Sequence, residues 1–192
     1  MDLILGSTSE RRRELLSHFS LPFKIVAPLF DEESLPFEGD PVLYARTLAE
    51  KKAASLSRLY PETPILSADT LVYKGGRLFP KPKSQAEAFS TLATLAGGWH
   101  KVYTGVALTY RGELFSEVEL TDVELHALTA HQISEYHRHN YCGDKAGAYA
   151  IQGGGGLIVK RLEGAYTNVV GLPFNSVQKL LSKVGIDLWD AL

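Results

Sequence analysis

Short apolar runs alternate with amphipathic stretches along the first half of the chain. Met1-Asp2-Leu3-Ile4-Leu5 meets Gly6-Ser7-Thr8-Ser9 and then a charged helical pattern. This predicts a strand, a tight loop and a helix, with Ser9 as N-cap and Leu15, Leu16 and Phe19 on the buried face. Residues 21–27 read as a second strand, followed by an acidic loop, Asp31-Glu32-Glu33. Asp40-Pro41 fits the N-cap and first residue of a longer helix reaching about Tyr60. Pro64 to Tyr73 is almost continuously apolar, as expected of a strand buried in a sheet, and contains one carboxylate, Asp69.

The second half reads differently. Gly75-Gly76 marks a hairpin turn, and Ser84-Gln85-Ala86-Glu87 reads as a capping box opening a helix with Ala88, Phe89, Leu92 and Leu95. Two extended runs between Val102 and Leu125 flank Arg111-Gly112, a second hairpin, and Thr129 to Gln132 repeats the capping-box pattern for a helix towards Arg138. After a glycine-punctuated stretch, Val169-Val170-Gly171-Leu172-Pro173 turns into a final helix carrying Val177, Leu180 and Leu181. Alternation of helices and strands early, with hairpins in the middle, predicts an α/β fold: a mixed sheet with flanking helices rather than a pure Rossmann pattern.

With 192 residues, 45% hydrophobic and 22% charged, the chain is long enough for one domain, or two intimately packed lobes, around its own core. A net charge of −2 provides no global field to gather nucleic acid or an anionic membrane, so a polyanion would need a local cluster of cations. The single Cys142 cannot form an intramolecular disulfide, and no leader or spanning segment is recognisable, which points to a reducing cytosol.

The first local cluster is Gly6-Ser7-Thr8-Ser9-Glu10-Arg11-Arg12-Arg13 at the strand-to-helix junction. Backbone N–H groups, small hydroxyl residues and arginine forks outline a phosphate site; a plain N-cap followed by a solvated charge run is the alternative. Lys52 shares a helix face with Tyr44, Leu48 and Leu56, so its amine points inward unless its stem snorkels out. Asp69 in an apolar strand needs a partner, a metal or a backbone to cap. Thr70 points to the opposite face of a regular strand.

Lys81 between Pro80 and Pro82 leaves a stiff backbone, and Lys145 is flanked by turn residues; either could be a solvated loop lysine. The amide of Gln152 both donates and accepts, so it could read a base edge, while Gly153 to Gly156 lack a P-loop sequel and read as a flexible turn or close-packing site. The six histidines and Cys142 fit no zinc pattern.

Taken together and in this order, these positions resemble the Maf family of nucleotide pyrophosphatases across nearly the whole chain. The motifs are Ser7-x-Ser9-x-Arg11-Arg12-x-x-Leu15-Leu16, Asp31-Glu32, Leu48-Ala49-x-x-Lys52-Ala53, Ser67-Ala68-Asp69-Thr70, Lys81-Pro82, Asp144 to Gly153 and Val170-Gly171-Leu172-Pro173. Ala68-Asp69-Thr70 with Ala148-Tyr149-Ala150-Ile151-Gln152 is similar to the dTTP/UTP branch. Two departures are Glu10, where proline is usual, and Pro80, where glycine is common.

The resemblance implies a mixed twisted sheet with flanking helices, Maf/Ham1-like, with two lobes around a central nucleotide-binding cleft. It also implies one functional domain over residues 1–192 that hydrolyses dTTP, UTP or related nucleotides to monophosphate and pyrophosphate. Asp69 takes the proton-acceptor position, and Arg11, Thr70 and Gln152 the substrate-selecting ones. Ser7, Ser9, Arg12, Lys52 and Lys81 would hold phosphates. Mg²⁺ or Mn²⁺ would lie on Glu32 and Asp69, and a cytoplasmic homodimer is implied. The rival readings are a 7-methyl-GTP pyrophosphatase and a nucleotide-binding regulator of cell division without turnover; nucleic acid and membrane are not expected partners.

Overall fold

The computed structural model describes residues 2–192, so Met1 of the predicted first strand lies outside the described residues. In chain order the elements are β1 (Leu3–Leu5), α1 (Glu10–Leu16), β2 (Phe23–Ile25), a 3₁₀ turn (Glu32–Ser34), α2 (Pro41–Ser57), β3 (Ile65–Lys74) and β4 (Arg77–Leu78). They continue with α3 (Gln85–Leu95), β5 (Trp99–Tyr110), β6 (Glu113–Leu125), α4 (Ala130–His139), β7 (Val159–Glu163), α5 (Tyr166–Val170) and α6 (Phe174–Ser182). The strands form a mixed seven-stranded sheet in the order β2-β1-β3-β5-β6-β7, with β4 paired to β3. β1 runs parallel to both β2 and β3, with Leu3 opposite Phe23 and Leu5 opposite Leu66, whereas β4 and β7 pair antiparallel.

The chain forms two compact units. One comprises residues 2–69, Thr104–Glu119 and Gly171–Leu192; the other comprises Thr70–Tyr103 and Leu120–Val170.

In the first unit, Asp40 caps α2 as expected, its Oδ1 accepting from the amides of Val42 and Leu43 at 2.8 and 3.1 Å. The buried stripe of α2 carries Ala45, Ala49 and Ala53, and the last two cluster with Ala107 of β5. Gly105 explains why these residues are small: a Cβ there would lie 2.1 Å from the carbonyl oxygen of Ala45. Helix and strand therefore meet backbone to backbone, which fixes α2 on the sheet. Ser9 is the N-cap of α1 by backbone conformation but makes no side-chain cap bond; Ser7 Oγ instead accepts from the Ser9 amide at 3.2 Å. The Phe19 ring meets Phe174 of α6 edge-on, with centroids 4.9 Å apart. At the β5–β6 hairpin, Arg111 and Gly112 both have positive φ, 50° and 83°, as a two-residue hairpin turn requires.

The second unit is built around Val72, Leu92, Leu95, Val102, Val123 and Ile133. The Thr129 capping box is complete. The one expected at Ser84 is half formed: Ser84 Oγ accepts from the Glu87 amide, but the Glu87 carboxylate accepts from the amide of Lys83. Two elements emerge from the stretch that reads only as glycine-punctuated. They are β7, which pairs with β6 from Asp122 to Leu125, and the short helix α5. Among the described residues no helix is long and apolar enough to cross a membrane.

Candidate functional site

In the first unit, parallel pairing of β1 with β3 decides what meets. Gly6 N donates to Leu66 O at 2.8 Å, and β3 continues past the end of β1, so the Ser7–Ser9 loop and Asp69, midway along β3, both lie beyond the carboxyl end of β1. Asp69 follows Ile65 and Ser67 at period two on one face of β3. It is 7% exposed, and its partner is Lys52: Nζ donates to Asp69 Oδ1 at 2.5 Å. Lys52 points inward at 6% exposure and does not snorkel, and the same Nζ reaches Glu32 Oε1 at 2.9 Å. One ammonium thus joins a buried carboxylate of the sheet to a half-exposed one on the acidic 3₁₀ turn.

Arg12 is half-buried on α1. Its Nε donates to the carbonyl of Gly171 at 2.8 Å and its Nη1 to Ser7 Oγ at 3.3 Å, so the guanidinium links the loop after β1 to the segment before α6. Burial lowers its pKa from the ordinary value; the charges of Asp69 and Glu32 work against this and that of Arg11 adds to it. Arginine remains a cation under such shifts. The first unit therefore brings together Ser7, Ser9, Arg11, Arg12, Glu32, Lys52 and Asp69.

Tyr44 of α2 neighbours this group without joining it, and only its helix position was legible. Its phenol donates to Leu35 O at 3.1 Å, and its pKa is raised by burial and then by Asp69 and Glu32. Ser67, fully buried one alternation before Asp69, has a hydroxyl with no hydrogen-bond partner among the described residues.

Glu32 and Asp69 pass a simple test for a divalent cation, because oxygens of both already converge on one cationic centre. Two carboxylates suffice for Mg²⁺ when phosphate oxygens and water complete the shell. Among the described residues no group of three or more His, Cys, Asp or Glu is placed to hold a metal by itself.

Thr70, Lys81 and Gln152 belong to the second unit. Thr70 is half-buried on β3 and Lys81 is exposed between its prolines. Gln152 is half-buried, and its side chain does not cap the 3₁₀ turn Gly153–Leu157 that follows. Within that turn the close-packing reading holds at Gly155, where a Cβ would lie 1.9 Å from Ala150 O. The segment leading to Gln152 is firmly held. Gly147 N donates to Phe79 O at 2.9 Å, just ahead of Lys81, and Tyr136 Oη bonds both the amide and the carbonyl of Ala150 at 3.0 and 3.2 Å. His137 Nε2 lies 2.9 Å from Ala148 O, and buried His100 Nε2 lies 2.7 Å from Tyr149 Oη. Burial lowers the His100 pKa to about 4, with Lys74 lowering it further and Asp122 opposing. Both histidines make contacts internal to this unit. Lys145 is tied down through Tyr141 O and Asp144 Oδ1, at 2.7 and 2.6 Å.

A buried lysine spanning two carboxylates beside an arginine and a serine loop is an arrangement suited to polyphosphate and a divalent cation. Residues 2–184 match the family described as Maf-like protein. The chain is 42% identical over 191 residues to a dTTP/UTP pyrophosphatase of Chlamydia felis (strain Fe/C-56), covering 99% of this chain and 97% of that one. It is 41% identical over 191 residues to a dTTP/UTP pyrophosphatase of Clostridium perfringens (strain SM101 / Type A), covering 98% and 100%. The chain belongs to the Maf family. Among solved structures, the Staphylococcus aureus Ham1 protein matches with TM-score 0.47 at 11% identity, over 65% of this chain and 72% of that one, a likeness too slight to bear on function.

Proposed function

We propose that this protein hydrolyses dTTP and UTP to the nucleoside monophosphate and pyrophosphate, as one functional domain spanning the whole chain. The observation that carries the reading is the buried Asp69–Lys52 pair, extended to the half-exposed Glu32 and lying beside Arg12, in a chain about 40% identical over its length to dTTP/UTP pyrophosphatases.

Arg12, Lys52 and Lys81, with the hydroxyls of Ser7 and Ser9, hold the phosphate chain. Arg11, Thr70 and Gln152 select the base, the Gln152 amide matching a pyrimidine edge that has both donors and acceptors. Glu32 and Asp69 hold Mg²⁺ or Mn²⁺, which when bound neutralises phosphate charge. Asp69 orients the attacking water and accepts its proton as the water oxygen bonds to phosphorus and the α–β bridging bond breaks, its electrons leaving with pyrophosphate. Lys52 keeps the Asp69 carboxylate aimed and offers its remaining donors to phosphate oxygens. The protein's contribution is mainly positioning and charge, which is most of what phosphoryl transfer needs. A homodimer in the cytoplasm is the setting we expect.

The test is incubation with dTTP, UTP, the purine triphosphates and 7-methyl-GTP, each with Mg²⁺ or Mn²⁺, resolving monophosphate plus pyrophosphate from diphosphate plus phosphate. Preferred cleavage of dTTP and UTP to pyrophosphate is expected, with turnover abolished in a folded Asp69→Asn variant. A preference for 7-methyl-GTP rejects the base assignment; nucleotide binding without pyrophosphate release replaces the enzyme with a binding regulator.

A further inference from the structure

The acidic turn that carries Glu32 is a poor place to keep a functional carboxylate. Asp31, Glu32 and Glu33 are all exposed, adjacent and of one sign. The Lys52–Glu32 ion pair has a half-exposed carboxylate, and such pairs contribute too little to fix a loop by themselves. Yet the turn is held at both ends by one helix. Ahead of it, the amide of Leu29 donates to Ser55 Oγ at 3.0 Å, and that hydroxyl donates to Lys52 O at 2.7 Å. Behind it, the phenol of Tyr44 donates to Leu35 O at 3.1 Å, and the Tyr44 ring meets Phe37 edge-on with centroids 5.4 Å apart.

Tyr44, Lys52 and Ser55 lie on α2, so the helix grips the segment before the turn, at Glu32 and after it. Direct chemistry by Tyr44 is not supported, because its hydroxyl already donates to Leu35 O and burial, Asp69 and Glu32 all favour the protonated phenol.

We infer that Tyr44 and Ser55 are positioning residues that tether the two ends of the acidic turn to α2 and so present Glu32 to the metal–nucleotide complex. The inference rests on the reading of Glu32 as a metal contact. Neither residue touches the reacting atoms; each restricts where the Glu32 carboxylate can be.

The test measures Mn²⁺ affinity by electron paramagnetic resonance of the free ion, in the presence of a non-hydrolysable α,β-methylene analogue of dTTP, alongside kcat against Mn²⁺ concentration. The proteins are wild type, Tyr44→Phe, Ser55→Ala, Ser55→Thr and Glu32→Gln. Tyr44→Phe keeps the ring on Phe37 and loses only the bond to Leu35, so it should fold. Tyr44→Phe and Ser55→Ala should each weaken Mn²⁺ binding by roughly tenfold, the lower range for residues that hold a ligand in place. Their kcat at saturating Mn²⁺ should stay near wild type, and Ser55→Thr, which restores the hydroxyl, should recover the affinity. Unchanged affinity in both tether variants, or a Ser55→Thr as impaired as Ser55→Ala, overturns the inference while a loss in Glu32→Gln leaves the metal role standing. Unchanged affinity in Glu32→Gln overturns the metal role itself, and the inference with it.

Discussion

Replacing Lys52 by Met keeps the length and apolar stem of the side chain and removes only the ammonium. The consequence follows from the unequal exposure of its two partners: the Asp69 side chain is 10% exposed and that of Glu32 47%. Glu32 can turn to water, so its lost pair costs little. Asp69 cannot, and stranding a buried carboxylate costs about 3–5 kcal/mol; with some relaxation towards Glu32's exposed side we expect about 3 kcal/mol. For a chain of this length that lowers Tm by about 6–12 °C. Urea unfolding at pH 7 measures the loss directly. Adding Asp69→Asn to Lys52→Met should recover about 1–2 kcal/mol, because the uncompensated charge is then gone. If the second substitution instead costs further stability, or Lys52→Met is as stable as wild type, Lys52 is not the counter-ion of a buried Asp69. In binding assays the same variant should lose affinity for a triphosphate analogue more than for a monophosphate.

Two further outcomes follow from the packing. His100 is buried with a pKa of about 4 against an ordinary 6.5, so between those values the unfolded chain binds a proton that the folded one refuses, and stability falls as pH drops from 6.5 towards 4. The contribution is about 3 kcal/mol at most; urea midpoints across this range should slope less in His100→Gln, and parallel slopes would remove His100 as the cause. Gly105→Ala should destabilise by about 3 kcal/mol and lower kcat/KM, because its Cβ meets Ala45 backbone 2.1 Å away and pushes α2, with Lys52, off β5; a wild-type urea midpoint would refute that contact.

What the sequence revealed was chiefly local. The i, i+4 spacing of Tyr44, Leu48 and Lys52 turns the lysine inward, and a lone carboxylate in an apolar strand announces Asp69. Which charges would join was not legible, since Lys52 and Asp69 are 17 positions apart and Arg12 finds its carbonyl 159 positions away at Gly171. β7 was missed because Val-Lys-Arg-Leu-Glu is short and mostly exposed, so its pairing with β6, not its pattern, makes it a strand. The Ser84 capping box shows the limit of a local motif: the right residues are present, but Glu87 prefers the amide of Lys83. Ser55 gave no signal, as a helical serine usually bonds its own backbone. Its second bond, from Leu29, depends on where a distant loop runs.

On the proposed base-selecting role of Gln152, the loop before it has a consequence for the rate at which a nucleotide can be captured. Gly147 and Ala148 both have positive φ, 74° and 55°, and a buried alanine in that region is strained by about 1 kcal/mol or more. Tyr136, His137 and the Phe79 carbonyl hold the segment there through bonds internal to the unit. The conformational entropy of this loop is therefore surrendered when the chain folds, not when a nucleotide arrives. Association need not wait for the loop to order, and little of the binding energy is diverted to ordering it.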